Sequence, residues 1–222
     1  MQGLEASSTE GLSRLGKLLV SGASAQGISL GQTEVARLVR YAELLEEWGR
    51  KINLTAIVGR EQIFRRHFLD SLALVGRLPP LAELPSPSLL DVGSGAGLPG
   101  VVLAICEPDW QVTCVDTVAK KASFIRQVAA ELRLSNLQGL HARVEALAPP
   151  AGGYGVIASR AFASLADFTA LTRHLLADGG VWMAMKGKLP ADEQAALPAD
   201  VEVFHVEQLQ VPGLDAQRCL VW

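Results

Sequence analysis

The stretch Ser88-Leu-Leu-Asp-Val-Gly-Ser-Gly-Ala-Gly97 constrains the fold of this chain more than any other. An apolar run (Leu89, Leu90, Val92) leads into three alternating glycines, Gly93, Gly95 and Gly97, and an apolar helix-like pattern begins at Leu98. Strand, glycine turn and helix in that order open a parallel sheet that takes a nucleotide-type ligand. Glycine has no Cβ, so the backbone can turn tightly there and a ligand can come close. Asp91 stands just before the turn. A second β-rich run, residues 111–115, ends in Asp116, 23 residues after Gly93. Asp116 has two readings. It can accept both ribose hydroxyls of an adenosine, or it can cap the helix predicted from Thr117. The joint occurrence of turn and acid favours the ribose role.

The rest of the chain agrees with that opening. Short β runs at 89–92, 112–115, about 137–141, 155–159 and 181–185 alternate with helical runs at 98–106, 118–132 and 165–176. Such alternation means βαβ units and a mostly parallel α/β sheet. Residues 201–210 and 218–222, joined by a Pro212-Gly213 turn, read as an antiparallel pair at its far side. Upstream, residues 1–77 read as helical, with helices at 33–48 and 60–75, and residues 78–87 hold four prolines as a connector. Residues 88–222 then form the sheet domain, and the whole chain is expected to be one compact unit.

Length and composition set the bounds. At 222 residues and 49% hydrophobic, the chain can bury a full core. It lacks any apolar stretch approaching the roughly 20 residues of a membrane helix. The first 30 residues mix Glu5, Glu10, Arg14 and Lys17 and do not read as a secretory signal. Cys106, Cys114 and Cys219 have no zinc-ligand spacing and read as buried thiols of a cytoplasmic protein, with no metal site. Asn53-Leu54-Thr55 matches a glycosylation sequon but is discounted without an export signal. The net charge is −3, yet residues 50–77 carry a net +4. A local basic face on an acidic protein can dock on phosphates, or can be an ordinary solvated helix surface.

Ligands of such sheets bind outside the carboxyl ends of the strands. After the third strand come Arg143, Val144 and Glu145, after the fourth Ser159 and Arg160, and after the fifth Lys186 and Lys188. No Asn-Pro-Pro-Tyr-like run, Pro-Cys nucleophile, serine elbow or Walker A lysine accompanies them. A transferase built on this edge needs an acceptor that reacts without covalent activation by the protein. His67 lies on the apolar side of its helix and reads as a core or pocket-wall residue. Asp70, four residues after Arg66, reads as its surface ion-pair partner.

The strings Lys51-Ile-Asn-Leu-Thr55, Arg66-His-Phe-Leu-Asp-Ser71, Asp91-Val-Gly-Ser-Gly-Ala-Gly-Leu-Pro-Gly100, Ser159-Arg-Ala-Phe-Ala-Ser-Leu165 and Lys186-Gly187 resemble the RsmG (GidB) family of bacterial S-adenosylmethionine-dependent methyltransferases. The resemblance runs from about Gly31 to the C-terminus. It implies a Rossmann-like methyltransferase fold behind an N-terminal helical segment. It also implies methyl transfer to N7 of one guanine, rRNA position 527, in 16S ribosomal RNA, with S-adenosylhomocysteine as product. By position, Asp91, Gly93, Gly95, Leu98, Asp116, Val144, Glu145 and Arg160 fall on the cofactor side. Arg143, Arg160 and Lys186 fall on the acceptor side, with no residue assigned as a catalytic acid or base. Arg50, Lys51, Arg65, Arg66 and Lys186 are the expected RNA contacts, and a partly assembled small subunit is the expected form of the substrate. Ser94 and Leu98 stand where threonine and phenylalanine are common in the family. The competing readings are an NAD-dependent oxidoreductase, which shares the glycine turn, a small-molecule methyltransferase and a non-catalytic RNA-binding module.

Overall fold

A computed structural model describes residues 13–222 except 53, 55, 56, 58, 85, 163, 189, 190 and 215, and the side chains of residues 60 and 191. Glu5, Glu10, Asn53, Thr55, Pro85 and Ala163, all used above, lie outside the described residues. Two helices, α1 (Arg14–Ser24) and α2 (Gln32–Gly49), come first. The predicted helix at 60–75 is realised as α3 (Arg60–Ile63), a π-helical turn (Phe64–Phe68) and α4 (Leu69–Leu72). Then follow β1 (Ser88–Val92), α5 (Gly100–Cys106), β2 (Gln111–Asp116), α6 (Ala119–Glu131), β3 (Leu137–His141), β4 (Tyr154–Arg160), α7 (Leu165–Thr172), β5 (Leu176–Lys186), α8 (Ala191–Ala195), β6 (Val206–Leu209) and β7 (Arg218–Val221).

The seven strands form one sheet in the order β3-β2-β1-β4-β5-β7-β6. β1 to β5 are mutually parallel, while β7 runs antiparallel between β5 and β6. The chain steps outward from β1 to β2 and β3, then returns to the other side of β1 as β4. That reversal opens a crevice at the carboxyl ends of β1 and β4, the place where open α/β sheets bind ligands. α5 starts at Gly100 rather than Leu98. Leu98 precedes Pro99, and a residue before proline is disfavoured in the helical region.

Both faces of the sheet are covered, which is why its central strands read as near-continuous apolar runs. Alternate residues divide between two layers. Leu89, Val156 and Ala158 face the layer containing α1, α2, Phe64, Phe68, α5 and Phe124. Leu90, Val92 and Ile157 face the layer containing Phe168 of α7. The N-terminal helices therefore share the core of the sheet's first face. Their closest tie to the glycine turn is Tyr41 of α2. It is fully buried, stacks on Phe68 with centroids 5.0 Å apart, and donates its hydroxyl to the Ala96 carbonyl at 2.5 Å. Among the described residues no helix is long and apolar enough to cross a membrane.

Tyr41→Phe keeps the ring and removes that single bond, leaving a buried carbonyl unsatisfied. We expect a loss of about 1–2 kcal/mol in urea denaturation. An unchanged midpoint would mean that Ala96 finds another donor.

Candidate active site

The turn after β1 is held by its neighbours on three sides. The amides of Gly93 and Ser94 both donate to the Val115 carbonyl, at 3.0 and 3.1 Å. The Gly95 amide donates to Asp116 Oδ2 at 2.9 Å, and the Val118 amide to Asp116 Oδ1 at 2.8 Å. Asp116 thus fastens the turn to the start of α6, and Lys121 lies 3.7 Å from it. A carboxylate offers about four acceptor positions, so these bonds still leave capacity for ribose hydroxyls at the rim. Gly93 and Gly95 have φ of +67° and +58°, where a Cβ is strained. A Cβ at Gly95 would meet only the Gly93 carbonyl, 3.9 Å away, and would otherwise project into open space.

Asp91 lies behind this turn. It is fully buried, accepts from the Gly100 amide at 2.9 Å through Oδ2, and has Cys114 Sγ 3.9 Å from the same oxygen. Among the described residues Oδ1 has no partner. Burial pushes this carboxyl up from 3.8 to about 7, against the Gly100 amide and the charge of Arg160. Gly100 is required by close approach, since a Cβ there would run into Cys114 Sγ and come within 2.9 Å of Asp91 Oδ2. Asp91, expected on the cofactor side, is placed as a brace sealed from both cavities described next. The strand's inward face, packed with α5, encloses it.

Two concavities meet at Gly93. The smaller, about 260 Å³, is lined by Asp116, Thr117, Arg143, Val144, Glu145 and Phe162. The larger, about 890 Å³, is bounded by Gly93, Gly95 and Leu98 on one side. Opposite them stand Arg65, Arg66, His67 and Asp70 from the helix at 60–72, with Arg160, Lys186 and Arg218 from strand ends. Among the described residues of this cleft, five side chains are cationic and Asp70 is the one carboxylate.

Asp70 is the charge hub of the cleft wall. Only 2% exposed, it takes Arg160 on Oδ2 at 3.4 Å and Arg218 on Oδ1 at 3.1 Å. This corrects the expected surface pair with Arg66. The π-helical turn inserts an extra residue into the helix, which rotates Asp70 to the cleft side while Phe64 and Phe68 point into the core. Arg160 also donates to His67 Nδ1 at 3.2 Å, because a guanidinium has no acceptor of its own. Burial, and then the Arg160 charge, lowers the His67 imidazole from 6.5 to about 4. His67 is therefore neutral near pH 7 and serves as a wall and an acceptor. Lys186 lies 2.8 Å from Glu193 Oε2, the same oxygen that receives the Leu165 amide.

The structure separates some residues that the sequence grouped. Arg143 was expected beside Arg160 and Lys186. It lies instead at the rim of the smaller cavity, exposed and 2.9 Å from Glu145, because two strands, β2 and β1, lie between β3 and β4. Arg50 and Lys51 are exposed at the end of α2 and line neither cavity. Arg65 and Arg66 do line the larger cleft, Arg65 held 3.1 Å from Glu61. Arg218 was missed. The sequence reading collected residues that follow each strand, but β7 runs backwards, so its first residue reaches the carboxyl edge beside Lys186. A basic residue opening the last, antiparallel strand was the signal available.

Residues 34–221 match the family model described as GidB, rRNA small subunit methyltransferase G. The chain belongs to that family. Ribosomal RNA small subunit methyltransferase G of Leptothrix cholodnii is 58% identical over 204 residues, spanning 92% of this chain and 93% of its own. That of Acidovorax sp. (strain JS42) is 55% identical over 215 residues, spanning 92% of each. Solved structures share the fold. TrmN from Thermus thermophilus superposes with a TM-score of 0.54 at 21% identity, over 71% of this chain and 52% of that longer one. A SAM-dependent methyltransferase from Aquifex aeolicus gives 0.50 at 16% identity, over 71% and 90%. Membership replaces the oxidoreductase reading of the glycine turn. The fold class is as the residues implied, a methyltransferase sheet behind N-terminal helices.

A buried carboxyl raised to about 7 has a definite pH signature. The folded Asp91 holds its proton where the unfolded one, near 3.8, has lost it. Its contribution to stability is complete below about 4 and is lost as pH rises through about 7. We expect wild type to lose stability relative to Asp91→Asn steadily across that window, with the difference levelling off above it. His67 titrates in both proteins and cancels in the difference. Urea denaturation at a series of pH values measures this, and a constant difference would show that Asp91 is ionised throughout.

Proposed function

We propose that this chain transfers a methyl group from S-adenosylmethionine to N7 of one guanine in bacterial 16S ribosomal RNA, at rRNA position 527. The observation that carries the acceptor class is the charge of the larger cleft. An acidic protein concentrates, among its described residues, five cations around one carboxylate beside the glycine turn, which suits an RNA backbone. Family membership supports the reaction and the rRNA. The residues present also fit the cofactor. Gly93 and Gly95 leave backbone open at the crevice, and Asp116, Val144 and Glu145 border a cavity fit for an adenosine.

When bound, S-adenosylmethionine supplies a methyl group already activated on a sulfonium. Guanine N7 carries an in-plane lone pair and has no proton to lose, so the protein needs no general base. The cleft is consistent with that. Asp70, its one carboxylate among the described residues, is occupied by two guanidinium groups, and its histidine is a neutral acceptor turned to Arg160. The protein's work is then orientation, holding the base against the turn by its edge and its phosphates. Arg160 is the residue for guanine O6 or a neighbouring phosphate. Asp70 and His67 both engage its NH1, leaving the other guanidinium nitrogens available to the cleft among the described residues. Lys186, Arg65 and Arg66 serve phosphates around it. Such a base must be single-stranded or drawn from its stack, and the limited basic face is in keeping with a partly assembled small subunit in the cytoplasm as the substrate.

The test is to incubate the protein with tritiated S-adenosylmethionine and unmodified 16S RNA, free or in small subunits, and map the labelled nucleotide by borohydride–aniline cleavage. Label at another base, or none, would sink the proposal. Arg160→Ala should lower turnover by about 100-fold or more with the circular dichroism spectrum preserved. Arg160→Lys should recover little, since a compact ammonium does not reproduce the planar fork that faces Asp70 and His67 on one nitrogen and the RNA on the others.

A further inference from the structure

The larger cleft does not end at Arg160. At Arg218 it runs into a second concavity of about 500 Å³, bordered by Gln208, Gln210 and Gln217 around Leu214 and Ala216. Arg218 lines both. Arg218 is the charged side chain described there; Asp215, between Leu214 and Ala216 in the sequence, lies outside the described residues. We propose that this groove carries the RNA strand leaving the target nucleotide, with Arg218 holding the adjacent phosphate and Asp70 as the residue that positions it. The inference rests on the rRNA reading above and adds the exit path and two residues to it.

The geometry supports each part. Asp70 binds Arg218 by Nε, and the Gln217 carbonyl takes NH1 at 2.9 Å. Neither of these bonds uses NH2. A guanidinium pinned on two sides and open on the third loses little freedom when it meets a phosphate. Asp70 also holds Arg160, so one buried carboxylate fixes the spacing between the residue for the target base and the residue for its neighbour. Beyond Arg218 the three glutamines are exposed. Their amides both donate and accept, and they can bond base edges and ribose hydroxyls without repelling the backbone. The wall is made by the ends of β6 and β7 and by Gln210, Val211, Leu214, Ala216 and Gln217 between them, at the part of the sheet added beyond the parallel strands.

The probe is the unmodified 16S substrate that wild type methylates, as free RNA or small subunit, with affinity measured across a salt series. For Arg218→Ala we expect RNA affinity to fall about tenfold. The slope of log affinity against log salt should drop by about 0.7, the signature of one lost single-strand phosphate contact. Calorimetric S-adenosylmethionine affinity should stay at the wild-type value. Arg218→Lys should restore most of the slope. Gln217→Glu, an exposed change that leaves the core alone, should weaken RNA binding and spare cofactor binding. Asp70→Asn should lower RNA affinity, and its KM for RNA should rise more than its kcat falls. Wild-type RNA affinity and salt slope in Arg218→Ala and Gln217→Glu would overturn the inference. So would a loss of cofactor binding that tracks the loss of RNA binding, which would make Arg218 a mere brace. A wild-type protein that methylates no 16S substrate overturns the rRNA reading itself, and is distinguishable because no variant is needed to see it.

Discussion

Two amide hydrogens, those of Gly93 and Ser94, converge on one carbonyl, that of Val115. This pair of bonds fastens the end of β1 to the end of β2 where the sheet would otherwise splay open, and it fixes the path of the turn before any side chain is considered. The side chains then hold that path from behind. Asp116 takes the Gly95 amide, Tyr41 bonds the Ala96 carbonyl, and Asp91 receives the Gly100 amide from below. A turn so fully bonded has little freedom left to lose when a ligand arrives, which is the physical meaning of preorganisation here. The positive φ values at Gly93 and Gly95 are the local cost of that path, and glycine is the residue that bears it least.

Electrostatics organise the opposite wall by a different rule. Cations crowded in a low-dielectric cleft repel one another unless a counter-charge separates them. Asp70 supplies that charge for two of them. It is itself nearly inaccessible, and each of its oxygens has a guanidinium partner. His67 completes the arrangement as a neutral acceptor, so the cluster keeps a positive balance toward the cleft. Of the remaining cations, Arg65 and Lys186 are tempered at the edges by Glu61 and Glu193, which lie outside the cleft lining.

Much of this was legible in the residues. The glycine turn, the alternation of strands and helices and the antiparallel ending all follow from local patterning, which depends on near neighbours along the chain. What escaped depended on topology or on a break in period. Arg218 was invisible to a rule that looks after each strand, because β7 enters the sheet in reverse. Asp70 was assigned to Arg66 because four residues mean one face of an α-helix, whereas the turn from Phe64 to Phe68 is π-helical and shifts that face. Arg143 was grouped with Arg160 because both follow strands, although β3 and β4 are separated by β2 and β1 in the sheet. Asp116 was half visible. Helix cap and ribose acceptor were posed as alternatives, and its geometry leaves room for both.

The N-terminal helices acquire their meaning from the same geometry. By sequence they look like an addition in front of a methyltransferase sheet. In the structure Tyr41 and Phe68 stack inside the layer that also contains Leu89 and Phe124, so helices and sheet bury a common core. The wall bearing Arg65, His67 and Asp70 therefore cannot shift relative to the glycine turn without opening that core. Burial of side chains this large amounts to about 2 kcal/mol or more each, so the distance across the cleft is set by packing rather than by the charged residues that face it. That division of labour lets the charges be arranged for the substrate, since the fold does not depend on them to hold its shape.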